Sequence, residues 1–352
     1  MTHSIETLAQ RFRRFGEREC VPSSPLYGRL AVGISEDPAL LELATAAEAG
    51  PVPNLFLAAV QYMLLHGATH PLAAFYHLPG RAASLTVGDA DPFPAFRAFC
   101  LEQATAMRAL LASRRVQTNE VRRCACLMPA FLTAARRAGR RPLALVEVGA
   151  SAGFNLLWDS YGYEYGAGGR YGDLASPVQL RCELRGGQLP APVPFPQIAY
   201  RVGLDLNPID ARDDDAMLWL RALIWPEQRD RAALLEQAIA VAQQNPPRLL
   251  AGDALDLLPG AIGAAPEETL VCVFHTFTLN QFPQPARERF DALIAEQAAR
   301  RDLCVIAIEW REPYPAIDLT WFASDERQTQ RLGFCDAHGA WIEWNKGGLG
   351  SC

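Results

Sequence analysis

The stretch VEVGASAGFN, residues 146–155, carries the residue types best suited to binding a cofactor. Glu147 lies near the end of an apolar run, and Gly149 and Gly153 follow it. Glycines allow a tight turn and a close approach of the backbone to a ligand. The free amides at the start of a helix can receive oxygen atoms of that ligand. The stretch therefore predicts a buried strand, a cofactor-binding turn and a helix.

Two classes of cofactor use such a turn. Dinucleotides favour G-x-G-x-x-G, but Ser151 and Phe154 stand where the second and third glycines of that pattern belong. An NAD-linked oxidoreductase is therefore a poor fit. The pattern E-x-G-x-x-x-G instead resembles the first motif of S-adenosylmethionine-dependent methyltransferases. That resemblance implies that the cofactor is lined by Glu147, Gly149, Ala150, Ser151, Gly153 and Asn155.

Acidic residues follow the next two predicted strands, in GLDLNP and GDALD. In these methyltransferases an acid after the second strand binds the ribose hydroxyls, since a carboxylate can accept hydrogen bonds from two adjacent hydroxyls. An acid after the third strand commonly contacts the adenine amine. The resemblance implies these roles for Asp205 and for Asp253, with Ala254 beside it.

Methyl transfer needs alignment of the reacting groups and often a base. His275 in FHTFTLN is the leading candidate base, because an imidazole titrates near neutrality, and Thr276 beside it is a candidate substrate contact. A histidine packed in the core is the alternative. Glu120 is a second catalytic candidate, and Tyr27 is a candidate substrate contact that could equally be a core residue.

Asn119 and Arg123 flank Glu120 in TNEVRR. We expect these side chains over the cofactor or a substrate carboxylate, where Arg123 could make a bidentate contact. The alternative is that Asn119 and Glu120 cap a helix, with Arg123 as the helix partner of Glu120.

Three other groups could suggest metal binding, but each has a simpler interpretation. Gly67 and Pro71 interrupt the helix that would align the three histidines between residues 66 and 77. The run Asp213–Asp215 is typical of a helix start. The cysteine spacing C-x-C is typical of a helix core. We predict no metal at His66, His70 and His77, at Asp213–Asp215, or at Cys124 and Cys126.

The elements that position these residues change near residue 142. Residues 1–141 predict an all-helical domain that caps the site. Residues 142–352 alternate strands and helices, which predicts a mostly parallel sheet. No helix separates the last strands, so residues 319–344 predict an antiparallel hairpin that turns at Asp336–Gly339. The predicted fold is thus α/β, a Rossmann-like methyltransferase sheet with a helical N-terminal domain.

Residues 158–197 do not fit a plain α/β domain. Tyrosines and glycine pairs there predict small antiparallel strands inserted between the first helix and the second strand of the sheet. A long insertion beside a cofactor turn is often a lid, and an inert surface hairpin is the alternative.

The composition favours a cytoplasmic protein. The chain has 352 residues, a net charge of −6 and nine scattered cysteines, which argues against a nucleic-acid surface and a disulfide framework. It has no apolar run of about 18 residues, so we expect no membrane span. We expect a small-molecule substrate and make no prediction of oligomeric state.

Beyond the fold, the chain resembles the DUF2332 family of bacterial proteins over nearly its whole length. The segments that carry this resemblance include SSPLYGRLA, PNLFLAAVQYMLL, HPLAAFY, QTNEVRRCACLMPA, VEVGASAGFNLLWD, GLDLNPID, GDALDLLP and HGAWIEW. We expect a methyltransferase acting on a small molecule. A non-catalytic protein that binds S-adenosylmethionine or a nucleotide is the alternative, ahead of the oxidoreductase.

Overall fold

The structure is a computed structural model that describes residues 4–345, apart from 22, 49, 79, 81, 118, 140, 192–193 and 324–325. The chain forms two compact units. A helical unit comprises Met1–Thr118 and Asp213–Leu235, and a sheet unit comprises Asn119–Arg212 and Glu236–Cys352.

The α-helices of the described residues follow in chain order. They are α1 (Ile5–Arg14), α2 (Pro25–Glu36), α3 (Pro38–Ala44), α4 (Val52–Leu65), α5 (Phe93–Glu102), α6 (Ala104–Ser113), α7 (Cys124–Arg137), α8 (Asp214–Ala222), α9 (Arg229–Gln244), α10 (Ala254–Gly263) and α11 (Gln284–Ala298).

The strands are likewise numbered in chain order. They are β1 (Leu143–Val148), β2 (Gly162–Glu164), β3 (Arg170–Gly172), β4 (Gln179–Arg181), β5 (Glu183–Gly186), β6 (Ile198–Asp205), β7 (Arg248–Ala251), β8 (Leu270–Thr276), β9 (Leu303–Glu309), β10 (Ala316–Ala323), β11 (Glu326–Cys335) and β12 (Trp341–Trp344).

The helical unit is built around α4, which is buried almost all round, as its continuous apolar sequence predicts. Asp37 caps α3, and its side chain accepts hydrogen bonds from the amides of Ala39 and Leu40. Residues 93–113 form two helices, α5 and α6, because the chain breaks at Gln103.

Two segments lie in a different unit from the one their position in the sequence predicts. Although the predicted boundary is at 141, α7 groups with the sheet, where it packs on β9 and β10. The ring of Phe131 in α7 stacks on Trp158 at 4.8 Å and meets Phe274 of β8 at 5.2 Å. Conversely, α8 groups with the helical unit and packs on α4.

The sheet unit contains a nine-stranded, mostly parallel sheet in the order β5-β12-β11-β10-β9-β8-β1-β6-β7. The parallel strands β1, β6 and β7 follow one another outward on one side of β1, and β8 and β9 on the other. The strand order therefore reverses between β1 and β8, the place where ligands bind at the carboxyl edge of open α/β sheets. The predicted C-terminal hairpin is present, as β11 pairs antiparallel with β12.

The two faces of this sheet are covered by different helices. Val146 of β1 and Val273 of β8 are directly paired and belong to the core beneath α10 and α11. Since successive residues of a strand point to opposite faces, Glu147 and its paired residue Phe274 lie on the other face, with α7.

The segment predicted as small antiparallel strands is more complex. β2 pairs antiparallel with β3 but parallel with β4, and β5 leaves this small sheet to pair with β12 at the edge of the large one. Tyr161, Tyr163 and Tyr165 are fully buried, and each hydroxyl donates to a backbone carbonyl. The insertion is therefore a packed block whose last strand is part of the large sheet.

Candidate functional site

The glycine turn joins β1 to a 3-10 helix, Phe154–Ser160, rather than to the α-helix expected. Gly149 and Gly153 adopt φ values of +79° and +71°, which glycine accommodates without strain. An added Cβ at Gly149 would meet the side chain of Thr278, with Cγ2 at 2.8 Å. The space beside Gly149 is thus filled by the protein itself.

The amides of the turn were expected to be free, but the structure pairs them within the protein. The amides of Gly149 and Ala150 donate to the carbonyl of Leu204, and that of Gly153 donates to the carbonyl of Ala150. Ser151 N donates to Oδ2 of Asp205 at 2.8 Å, and Ala152 N donates to Oδ1 of Asn119 at 3.2 Å. The turn can therefore fit a ligand by its shape, but its amides contribute few hydrogen bonds to that ligand.

Glu147 is 1% exposed and sits where β1 runs into this turn. Its Oε1 accepts a hydrogen bond from Nδ2 of Asn155 at 2.9 Å, and Oε2 is buried without a hydrogen-bond partner in the described part of the chain. Burial raises the pKa of this carboxyl to about 8, and the nearby charge of Asp205 adds to that rise, while Asn155 and Arg123 oppose it. The raised pKa favours the protonated form of this carboxyl near neutral pH.

Asp205 is the last residue of β6 and Asp253 follows the adjacent strand β7, but the two have different surroundings. Asp205 Oδ1 accepts from the amide of Asn207 at 2.8 Å, so each of its oxygens already binds one amide. Asp253 is exposed and caps α10, with Oδ1 accepting from Leu255 N at 2.8 Å. Ala254, the first residue of α10, is buried.

Residues 119–123 connect the turn to other parts of the edge. Asn119 also hydrogen-bonds the hydroxyl of Ser151, so it contacts the glycine turn and does not cap a helix. The cap is Glu120, whose Oε1 accepts from the amide of Arg122 at 3.3 Å, at the start of a 3-10 turn before α7. The buried guanidinium of Arg123 lies over the ring of Phe277 at 4.4 Å, and Nη1 is 3.5 Å from Oγ1 of Thr276.

The turn between β11 and β12 reaches the same residues. Arg123 Nε donates to the carbonyl of Ala337 at 3.0 Å, and Nδ1 of His338 is 3.3 Å from Oε2 of Glu120. The hairpin turn therefore belongs to this edge of the sheet, together with the glycine turn and the end of β8.

His275 lies on the opposite face from Glu147, which does not suit the catalytic role expected of it. It is 3% exposed, its ring meets Phe290 of α11, and its Nδ1 is 2.6 Å from Oε1 of Glu309. Glu309 also accepts from the amides of Thr278, Leu279 and Asn280. This pair fixes the turn after β8, which corresponds to the alternative of a packed histidine.

The chain matches a family model described as "Uncharacterized protein conserved in bacteria (DUF2332)" over residues 9–344. The chain belongs to the DUF2332 family. No curated protein and no solved structure matches it.

Other predicted positions of this DUF2332 chain lie in the helical unit. Tyr27 is buried in its core, where the hydroxyl donates to Oε1 of Gln61 at 2.6 Å. His70 and His77 accept hydrogen bonds from the amides of Leu72 and Ala83, and Asp213 caps α8. His66 stacks on the ring of Tyr62. The described residues contain no group of three or more His, Cys, Asp or Glu suited to a metal ion.

Sequence reasoning missed several residues at this edge of the DUF2332 fold. His338 lies in HGAWIEW, a segment that carries the family resemblance, yet the hairpin pattern predicted only a turn there. Leu206 and Trp310 directly follow β6 and β9 and are 71% and 48% exposed. The sequence does show a large apolar residue directly after each of these two strands, and that is the signal that could have found them.

Proposed function

We propose that the sheet unit binds S-adenosylmethionine and transfers its methyl group to a small-molecule acceptor. The observation that carries this proposal is the pair of carboxylates beside the glycine turn. Glu147 has a buried oxygen without a partner in the described residues, and Asp205 stands at the end of the adjacent strand. Both lie beside the point where the strand order reverses.

The carboxylates and their neighbours fit this cofactor. Each oxygen of Asp205 binds one amide and keeps a lone pair for a ribose hydroxyl. The unpaired oxygen of Glu147 suits a cationic donor such as the α-ammonium group. The exposed side chain of Leu206, next to Asp205, supplies apolar surface for a purine ring. The amides of the turn contribute little, since the protein pairs them itself.

When bound, the cofactor supplies a methyl group activated by a sulfonium. The residues of the chain bind the cofactor and orient the acceptor toward it. Arg123 is held by Ala337, Thr276 and the ring of Phe277, so it presents a fixed positive charge that suits an anionic acceptor. The net charge of −6 favours a small acceptor over a nucleic acid.

A non-catalytic protein that senses the same cofactor is the second candidate. The observation that favours it is His275, the expected base, which is buried against Glu309 and Phe290. Such a protein would bind the cofactor without turnover.

Calorimetry with S-adenosylhomocysteine tests the proposal. We expect the wild-type chain to bind, and Asp205→Ala to weaken affinity roughly 10-fold or more, because hydrogen bonds to a charged group are lost. Asp205→Asn, which keeps one oxygen acceptor, should lose less. Glu343→Gln, on the exposed face of β12, removes a charge and should bind as the wild type does.

Absence of binding to the folded wild-type protein would overturn the proposal. Incubation with methyl-labelled cofactor and a metabolite extract then separates the two candidates. Label in a small-molecule product supports the transferase, whereas tight binding with no labelled product supports the sensor.

A further inference from the structure

Glu120, which is buried, and His338, which is half exposed, form a pair at the carboxyl edge of the sheet. Nδ1 of His338 lies 3.3 Å from Oε2 of Glu120. The Glu120 side chain is 3% exposed and the His338 side chain is 52% exposed. One ring nitrogen therefore lies near a buried carboxylate, while about half of the imidazole side chain is exposed.

The backbone of His338 is held from two sides. Asp336 Oδ1 accepts from the amides of His338 and Ala340, at 2.9 and 3.2 Å. Gly339 packs so closely on residue 122 that an added Cβ would lie 2.7 Å from the carbonyl carbon of Arg122. The imidazole is thus carried on a fixed turn, which is what a proton-transfer group requires.

The same short segment ties this pair to the cofactor turn. Asn119, adjacent to Glu120, binds Ser151 and the amide of Ala152. Arg123 joins the carbonyl of Ala337 to Oγ1 of Thr276 at the end of β8. His338 is therefore linked through residues 119–123 to both sides of the site.

We propose that His338 is the base of this site and that Glu120 is a positioning residue that orients it. This inference rests on the proposed methyl transfer. The charge of the Glu120 carboxylate, 3.3 Å from Nδ1, favours the neutral tautomer that has its proton on Nδ1 and its lone pair on Nε2. Nε2 lies on the side of this half-exposed ring away from Glu120, and we infer that a substrate and solvent reach it there.

The proton balance of the step follows from this arrangement. The acceptor's oxygen or nitrogen forms a bond to the methyl carbon as the carbon–sulfur bond breaks, with its electron pair left on sulfur. The proton of the acceptor passes to Nε2 of His338 and then to solvent. His275, enclosed by Glu309 and Phe290, has no such exposure.

Nitrogen-15 NMR of the imidazole rings tests the pair without any knowledge of the acceptor. Long-range proton–nitrogen spectra distinguish the two neutral tautomers, and His338→Gln assigns the signal. We expect the Nδ1–H tautomer in the wild type and the Nε2–H tautomer in Glu120→Gln. The new amide donates, so it pairs with an unprotonated Nδ1, while its oxygen still caps the 3-10 turn through Arg122.

Glu343→Gln is the matched control, since it removes a carboxylate from the same hairpin and should leave the tautomer unchanged. The proposed pairing is overturned if the wild type shows the Nε2–H tautomer of His338. It is also overturned if a folded Glu120→Gln protein shows the same tautomer as the wild type. Circular dichroism of each variant reports its fold.

Calorimetry separates failure of this inference from failure of the proposed function. If the wild type does not bind S-adenosylhomocysteine, the methyl-transfer role fails whatever the tautomer. If it binds and turns over, His338→Gln should lower the rate roughly 100-fold, the scale of general-base catalysis, while the affinity is kept. An unchanged rate in that variant overturns the assignment of His338.

Discussion

At the scale of single residues, the pKa values of two buried glutamates of the sheet unit are shifted in opposite directions. Burial raises the pKa of Glu147 to about 8, against a single amide hydrogen bond from Asn155. Burial also acts to raise the pKa of Glu309, but its hydrogen bond and charge interaction with His275 and the amides of Leu279 and Thr278 outweigh it, so that pKa is lowered. The number of donors around each carboxylate decides the sign.

The first consequence is a pH dependence of stability carried by Glu147. Because its pKa is higher folded than unfolded, it favours folding below pH 4.5 and loses that contribution as the pH rises to about 8. Glu147→Gln should therefore gain stability relative to the wild type across this window, by roughly 2–4 kcal/mol. Urea unfolding at several pH values between 4.5 and 8.5 measures the difference.

Glu309→Gln is the control of opposite sign. A lowered pKa stabilises the fold above the unfolded pKa and is lost as the pH falls through the folded one. The destabilisation by Glu309→Gln should therefore be largest near neutrality and shrink in acid. The same pH trend in both variants would contradict the assignment of the two environments.

Single residues also show where the sequence was informative. Glu147 and Asp205 could be singled out from the sequence because each is an acidic residue near the end of a predicted strand, within a known spacing. The role of His275 could not be predicted, since its position on β8 does not reveal that Glu309 of the next strand lies beside it. The contact between Glu120 and His338 joins residues 218 positions apart, which no local pattern reports.

At the scale of elements, the glycine turn is held between β6 and the turn after β8. Its amides bind Leu204 and Asp205, and Thr278 packs on Gly149. Gly149 therefore meets two requirements, a positive φ and the absence of a Cβ.

Gly149→Ala and Gly139→Ala separate these requirements. Gly139 follows α7 at φ +66° with nothing within 4 Å of an added Cβ, so its replacement should cost about 1 kcal/mol of backbone strain. Gly149→Ala adds a clash with Thr278 and should cost about 3 kcal/mol. Thermal or urea unfolding measures both.

Thr278→Ala in the Gly149→Ala background should recover part of the loss, because it removes the two closest atoms. Equal costs at Gly149 and Gly139 would show that Thr278 does not restrict the turn.

Elements with a clear pattern were predicted well. β1 is the buried strand predicted before the glycine turn, and the hairpin turn is where the Asp-Ala-His-Gly sequence indicates. The insertion was predicted less well, because its tyrosines and glycine pairs do not reveal which strands pair with one another. The departure of β5 to the large sheet depends on β12, far along the chain.

At the scale of the whole molecule, units and sequence segments do not coincide. The chain leaves the sheet unit after Arg212, contributes α8 to the helical unit and returns after Leu235. The sequence pattern placed residues 142–352 in one domain, because the pattern of an amphipathic helix does not show which apolar surface the helix covers. No helix among the described residues has the length and apolar character to cross a membrane.

Hydrogen exchange on the intact chain tests the assignment of α7 and α8. Phe290→Ala opens the core of the sheet unit and should reduce protection in α7 far more than in α8. Phe56→Ala in α4 is the matched variant and should do the reverse, because α8 packs on α4. Peptide-resolved mass spectrometry measures both, and loss of α7 protection with Phe56→Ala alone would contradict the division.

The strand β5 also determines how the large sheet meets other molecules. Unpaired strand edges are templates for association between chains, and here the two outermost strands, β5 and β7, have only four residues each. Glu183 and Arg185 of β5 are charged and exposed, and the Arg185 guanidinium covers the ring of Trp341. The insertion thus covers the outer edge of the sheet. Its deletion would leave β12, which contains two tryptophans, as an exposed edge strand that is prone to aggregation.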